Sequence, residues 1–585
     1  MTNVKSKKIF LLVATIVVML AVLQLSGGTS LKYVLASVFY VNSGGVNDKN
    51  IIFSKPSGFY DKAFQLSLYA PTEEIYYTLD GTDPDKNSLR YDGPIKISDA
   101  SENQNIYSTR IDVTAAFLQD EIIKYCEEEK IIDYHVPDEK IDKCNTIKVV
   151  YYDREGNRSA VEEHVYFVGF QEKEGYKEVN MISVTTDPDN LFDSESGIYV
   201  LGKSFEEGIA SGMFEDEFTS AYWWFWNANY RNKGRDWERK IHIEIFNEDK
   251  QLVLSQNAGM RIQGGGSRGF LPKSLNLYAR EEYGDNRFRY DFWNTGYYPK
   301  RMTLFSGGDD YYTKIKDRLV SELVEDTEIS TMNYEPYILF LNGEYWGIYY
   351  LTEKYDSNYM EHYYGVSEGN LIEDTIIIKS GEVESGVPAD KYVSYQEMQD
   401  FIINNDMSND LNYKKACEVI DVKSFIDYFA VEGYISRAGD WPSGNFALWR
   451  FRNPSKKKYE DGKWRRILYD VNSSAMEATS YDAIAGMCEK SPLFDSLCAN
   501  EEFRRSFAKR WLEIADTCFD KEVVNQKLDE YVELMDEPME KHFQRFFGTS
   551  NEKFYEEIEN LRYFFNERRQ YVVESIRVNF GEDYL

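Results

Sequence analysis

Two stretches of this chain carry residues whose types and spacing suit work on phosphate. The first is Gly259–Arg280, GMRIQGGGSRGFLPKSLNLYAR, a glycine-rich turn between two alternating runs that delivers Lys273 just beyond the turn. Paired glycines let a backbone come close to a bulky anion, their amides can point at phosphate oxygens, and the lysine adds a positive charge. The loop is not of the Walker form, because Pro272 stands directly before Lys273 and Ser274 and removes the backbone donor that form requires. A plain hairpin with a conveniently placed lysine is the competing reading, so the turn takes its meaning from the residues downstream of it.

The second stretch is Ala430–Arg450, AVEGYISRAGDWPSGNFALWR, where Asp440 is followed five residues later by Asn445. Phosphoryl transfer needs a carboxylate near the acceptor hydroxyl and oxygen ligands for a divalent metal, and a short loop with Asp at one end and Asn at the other offers both. Pro442, Ser443 and Gly444 make the interval a turn, and FALWRF after it reads as a strand. Lys463–Tyr469 reads as a further strand ending at Asp470, where a metal-binding carboxylate would emerge.

Positioning these residues falls to the elements around them. Tyr311–Glu325 sets Ile315, Leu319, Leu323 and Val324 at helical spacing, a helix with one buried face. Glu322 and Glu325 on that helix are candidates to pair with Lys273, or else are simply solvated. Tyr334–Asp356, YEPYILFLNGEYWGIYYLTEKYD, joins two alternating apolar runs through Asn342-Gly343, a strong hairpin signal. Strand, turn, strand with lysine, helix and hairpin come in the order of a protein-kinase N-lobe. From Ser491 to Leu585 the pattern is helical, with Phe503, Phe507, Trp511 and Ile514, then Phe554, Ile558, Leu561 and Phe565, reading as core.

Composition limits the partners. A chain of 585 residues is too long for one core, and two or three domains are expected. A formal charge of −32 argues against nucleic acid or an anionic membrane surface and favours a basic protein partner. Six cysteines, Cys126, Cys144, Cys417, Cys488, Cys498 and Cys518, are too scattered for a disulfide scaffold; Cys126 and Cys144 bracket one segment and either pair outside the cell or stay as buried thiols. Five histidines without HExxH leave oxygen as the ligand type for any metal. At the N-terminus Lys5, Lys7 and Lys8 precede the apolar run Ile9–Leu25, which has the layout of an export signal or a membrane anchor within residues 1–30 and would place everything after residue 30 outside the cell.

Residues 51–170 read as short strands and turns, a small β-sandwich. Gly58-Phe59-Tyr60, IYYTLDGTDP from Ile75 to Pro84, Tyr91 and Pro94-Ile95 resemble the chitobiase/hexosaminidase C-terminal type of immunoglobulin-like domain, with an acidic insertion between Val113 and Cys144 that departs from it. The resemblance implies an accessory module, with carbohydrate as a secondary partner. Between Val179 and Phe246 lies a second β-rich block, with Ile241, Ile243 and Ile245 alternating as in a half-buried strand. Its cluster Tyr222-Trp223-Trp224-Phe225-Trp226 is either a binding platform or packing.

Taken in order, the glycine turn, Lys273, the helix, the hairpin, Asp440 with Asn445, and strand-ended Asp470 closely resemble the CotH (spore coat protein H-like) kinase family. The motifs carrying the match are GMRIQGGGSRGFLPKSLNLYAR, LFLNGEYWGIYYLTEKYD, GDWPSGN and WRRILYDVN, and the likeness runs from about Met181 to ERRQYVVESIRVNF near the end. It implies an α+β fold with an atypical two-lobe protein-kinase-like domain at 178–585, preceded by the β-sandwich at 51–170 and the N-terminal signal or transmembrane segment. It also implies ATP, Mg²⁺ or Mn²⁺, and transfer of the γ-phosphate to Ser or Thr of a surface or envelope protein. By position, Ser267 and Arg268 would touch phosphate, Lys273 would bind phosphates, Asp440 would be the base, and Asn445 and Asp470 would hold metal. One departure is Asn472, where relatives commonly carry a second aspartate. It keeps open the alternative of an inactive kinase core serving as a carbohydrate- or protein-binding scaffold.

Overall fold

The computed structural model describes residues 51–118, 132–216, 220–366, 374–380, 382–383, 390–437, 441–442 and 444–585. The apolar run Ile9–Leu25, Cys126 and Asp440 lie outside the described residues. Among the described residues, no helix is long and apolar enough to cross a membrane. The chain is mixed α+β, β-rich in its N-terminal half and helical toward its C-terminus. It packs as two compact units, residues 1–260 with 338–347, and residues 261–337 with 348–585; the boundary expected near residues 170–178 lies inside the first.

In the first unit, β1 (Gly58–Tyr60), β2 (Ile75–Thr78), β3 (Leu89–Arg90), β4 (Asn145–Tyr151) and β5 (Glu162–Val168) form a five-stranded sheet in the order β1-β5-β4-β2-β3. Leu66, Ile75, Val149, Tyr166 and Val168 bury into one core, the expected result of alternating apolar positions in strands. Trp223 and Trp226 are buried, and Trp226 lies against Phe205 and Phe214, so these two rings are packing, while Tyr222, Trp224 and Phe225 stay partly exposed. Cys144 is a free, buried thiol.

Seven further strands make a closed barrel: β6 (Asn180–Thr185), β7 (Arg239–Phe246), β8 (Leu252–Ile262), β9 (Leu275–Tyr278), β10 (Arg301–Phe305), β11 (Tyr334–Leu341) and β12 (Glu344–Thr352), ordered β6-β7-β8-β9-β10-β12-β11. Asn342 and Gly343 join β11 to β12 with φ of 47° and 86°, the left-handed pair that a tight hairpin turn needs and that Asn-Gly supplies cheaply. This tip is anchored inside the first unit. Asn342 N donates to Val184 O and Cys144 N donates to Gly343 O, each at 2.8 Å. The Glu344 carboxylate accepts from the backbone N–H groups of Ile106, Tyr107 and Ser108 at 2.5, 3.2 and 2.8 Å. Phe340 and Tyr345 complete an aromatic cluster with Phe167, Phe170 and Tyr176.

In the second unit, β13 (Thr375–Lys379), β14 (Glu382–Val383), β15 (Ala447–Phe451) and β16 (Arg465–Ile467) pair in the order β14-β13-β15-β16. Helices α1 (Lys316–Leu323), α2 (Asp390–Asn404), α3 (Val422–Ile435), α4 (Ala483–Lys490), α5 (Pro492–Cys498), α6 (Glu501–Asp516), α7 (Lys521–Phe546) and α8 (Glu552–Asn579) contribute to its large core. Helix α1 starts five residues later than its apolar spacing predicts. The Asp310 carboxylate accepts from the amides of Thr313 and Lys316 at 3.2 and 3.0 Å, which holds the preceding residues in a turn.

Candidate active site

The chemistry-bearing part of the second unit is a cleft enclosing about 90 Å³, with Asp317, Glu353, Lys354, Lys379 and Asp470 among its walls. Asp317 comes from the first turn of α1, Glu353 and Lys354 from the chain just past β12, Lys379 from the end of β13, and Asp470 from beyond β16. Three acids and two lysines therefore meet in one small polar space.

Asp470 has φ of 57°, a left-handed conformation that Asp tolerates better than bulkier residues. Asn472 Nδ2 donates to Asp470 Oδ1 at 2.5 Å. The same amide packs on Gly308, whose φ is 59° and where a Cβ would fall 2.6 Å from Nδ2. Asp317 Oδ1 accepts from Val471 N at 3.0 Å, whereas its Oδ2 is buried with no hydrogen-bond partner among the described residues. Burial, and then the charge of Asp470, push the Asp317 carboxyl up to about 8. An orphaned carboxylate oxygen beside a second carboxylate fits a hard divalent cation, which commonly takes one or two carboxylates and fills its shell with phosphate and water. Among the described residues no group of three His, Cys, Asp or Glu side chains could cage a metal alone.

Arg437 fixes this geometry. Its Nη1 donates to Asp470 O at 2.5 Å and Tyr469 O at 3.1 Å, and its Nη2 donates to Asn445 O at 2.8 Å and Glu432 Oε1 at 2.9 Å. One buried guanidinium thus ties the end of the strand bearing Asp470 to the backbone of Asn445, using the fork geometry that lysine lacks. Burial raises Glu432 to about 7, with the neighbouring Arg437 opposing that shift.

The glycine turn is closed on itself. Lys273 is 0% exposed, and its Nζ donates to Arg268 O at 2.6 Å and Phe270 O at 3.5 Å. Arg268 Nε donates to Gly264 O at 2.7 Å, and Ser267 sits against Gly264, where a Cβ would meet its Oγ at 2.3 Å. Of the residues singled out in the sequence, Asp470 lines the cleft; Ser267, Arg268, Lys273 and Asn445 do not, and Asp440 is outside the described residues. The expected helical glutamate is also corrected. Glu322 binds Arg318 and Lys527 at 2.7 and 2.9 Å, and Glu325 is exposed, so neither is the carboxylate expected beside Lys273.

Sequence reasoning missed Asp317, Lys354, Lys379 and Arg437. Asp317 carried a readable signal, since it shares a helical stripe with Val320 and Val324 and so had to face inward. Lys354 lies two residues beyond a fully buried strand, which made its exit into a site legible. Arg437 and Lys379 carried none, because their role depends on long-range pairing.

Comparison with known families bears on this arrangement. A family profile described as Fn3 associated matches residues 64–166, the β-rich N-terminal part. No curated protein sequence matches the chain. The profile described as CotH kinase protein matches residues 260–572, more than half of the chain and the whole span from the glycine turn into the last long helix, and supports a protein-kinase-like function. The chain belongs to the CotH kinase family.

Proposed function

We propose that this protein is an exported, metal-dependent protein kinase that transfers the ATP γ-phosphoryl group to Ser or Thr of a surface or envelope protein. The observation that carries the reading is Asp317 Oδ2, buried without a hydrogen-bond partner among the described residues, in the cleft that Asp470 also lines. Asp317 and Asp470 would hold Mg²⁺ or Mn²⁺, and Asn445, outside the cleft lining, is retained from the sequence as a further candidate ligand. A bound divalent ion supplies charge neutralisation on the phosphate oxygens. Lys354 and Lys379 line the cleft and are the cations assigned to nucleotide phosphate. Lys273, Arg268 and Ser267 hold the glycine turn in shape and would reach phosphate only if that turn opened.

Asp440 is assigned as the base. It takes the proton from the acceptor hydroxyl as the oxygen–phosphorus bond forms and the bond from the γ-phosphorus to the leaving ADP oxygen breaks. The apolar run Ile9–Leu25 supports export or tethering, and the net charge of −32 supports a basic acceptor protein. The β-rich N-terminal part, in the finer reading a chitobiase-type module, is an accessory with carbohydrate as a secondary ligand. Asn472 in place of a carboxylate is the one observation favouring the alternative, an inactive scaffold. Incubating the purified protein with labelled ATP and Mg²⁺ or Mn²⁺, with and without basic envelope proteins, tests the proposal. Label transfer that requires metal and Asp317 supports it, and absence of metal-stimulated nucleotide binding refutes it.

A further inference from the structure

A second pocket of the same unit, about 310 Å³, is walled by Tyr395 and Gln399 of α2, Tyr428 of α3, Phe446, Arg466 of β16 and Lys490 at the end of α4. Among the described residues, no acidic side chain lines it. Arg466 is 7% exposed, and its guanidinium lies over the rings of Phe425, Tyr428 and Phe429 at 4.5, 4.6 and 5.4 Å. Its Nε is buried with no hydrogen-bond partner among the described residues. The neighbouring Arg465 shows the usual arrangement, with Asp461 at 2.6 Å and Asp421 at 3.1 Å. Glu432, the acid that acts on Arg466, is bonded to Arg437 through Oε1 and makes no hydrogen bond to Arg466, its Oε2 being buried without a partner among the described residues.

A buried guanidinium held by aromatic faces but without a bonded carboxylate is costly, and its presence in a chain with 99 acidic residues marks the missing partner as unusual. Its planar donors match carboxylate and phosphate, and Lys490 and Gln399 bring further donor groups to the lining of the same space. Pro442 and Phe446, two and six residues past Asp440 in the sequence, also border the pocket. A polypeptide bound across them would bring a side chain to it.

We infer that this pocket receives an anionic side chain, carboxylate or phosphate, of a bound polypeptide. Its placement beside an acceptor hydroxyl rests on the proposed kinase reading; the binding of the anion does not. The test uses the full chain without nucleotide and three fluorescent lysine-containing peptides that differ at one position, phosphoserine, glutamate or glutamine, read by anisotropy. The phosphoserine and glutamate peptides are expected to bind at least about tenfold tighter than the glutamine peptide. Lys490→Glu, an exposed change, and Arg466→Met, which keeps the aromatic packing filled, should each reduce that preference, with ATP binding unchanged. Inorganic phosphate should displace both anionic peptides, since all compete for one pocket, and the tighter of the two peptides identifies the preferred group; phosphate that displaces neither would overturn the inference. Equal binding of all three peptides, or a preference that survives both substitutions, overturns the inference. Charge-selective binding without phosphoryl transfer would leave the pocket and remove the kinase reading. Transfer indifferent to peptide charge would do the reverse.

Discussion

Asn472 donates its side-chain amide to Oδ1 of Asp470 at 2.5 Å, and the same amide packs against Gly308, where a Cβ would fall 2.6 Å from Nδ2. The neutral residue at 472 therefore acts on the carboxylate at 470 as a clamp. Asp470→Ala is expected to abolish metal-dependent ATP binding, whereas Asn472→Ala should weaken it by roughly tenfold, the loss of one hydrogen bond to a charged group. Asn472→Asp sets two carboxylates against each other, so the metal-free protein should melt earlier and gain more from added Mn²⁺ than the parent does. Calorimetric titration and thermal melts with and without metal check all three; a parent with no metal-stimulated binding that acquires it only in Asn472→Asp would mark a degenerate kinase.

Asp317→Asn retains an acceptor for Val471 N and removes a carboxyl that burial and Asp470 hold from ionising. Stability without metal should rise, by about 1–3 kcal/mol, while the stabilisation conferred by Mn²⁺ disappears. A residue that served packing alone would show neither change, and a denaturant series with and without metal distinguishes the cases.

Arg437→Met should cost about 3–5 kcal/mol, because Glu432 would be left buried without its cation. Arg437→Lys should recover part of that stability but not nucleotide binding, since an ammonium cannot reproduce the fork between Glu432, Asn445 and the strand end. Urea unfolding and ATP titration of both variants separate the two effects.

Glu353 gives a pH signature. Its carboxylate accepts from Asn333 N at 2.9 Å, yet burial raises it from the ordinary 4.5 to about 7. A carboxyl raised on folding favours the protonated native state, so its contribution is complete below pH 4.5 and is lost as pH climbs through 7. The difference over that window is about 3 kcal/mol. Unfolding free energies from about pH 4 to 8 should fall less steeply for Glu353→Gln than for the parent, and parallel slopes would exclude the assignment.

Local pattern made much of the framework legible. Asn342-Gly343, the alternation of β7 and the aromatic spacing in α6 and α8 each stand on short-range rules, and each element is present. The candidate site was legible only where a residue ends a recognisable element, as Asp470 does. Lys273 shows the limit: its spacing from the glycines suits phosphate, but the same spacing lets Nζ reach the carbonyls of its own turn, and local sequence does not separate the two. Asp317 carried its signal in position alone, on one helical stripe with Val320 and Val324, while the apolar residues of that helix were the ones its pattern brought forward.

The tip of the β11–β12 hairpin has a consequence for ancestry. Residues 338–347 pack with the N-terminal unit, although the sequence on both sides of them belongs to the other. A gene rearrangement that carried away residues 51–260 alone would leave the amides of Ile106, Tyr107 and Ser108 without the Glu344 carboxylate, and would strip Phe340 and Tyr345 from their aromatic cluster. Neither piece would travel intact. The N-terminal half of this chain is therefore expected to be inherited together with the hairpin tip that packs into it, and lineages should gain or lose the two as one.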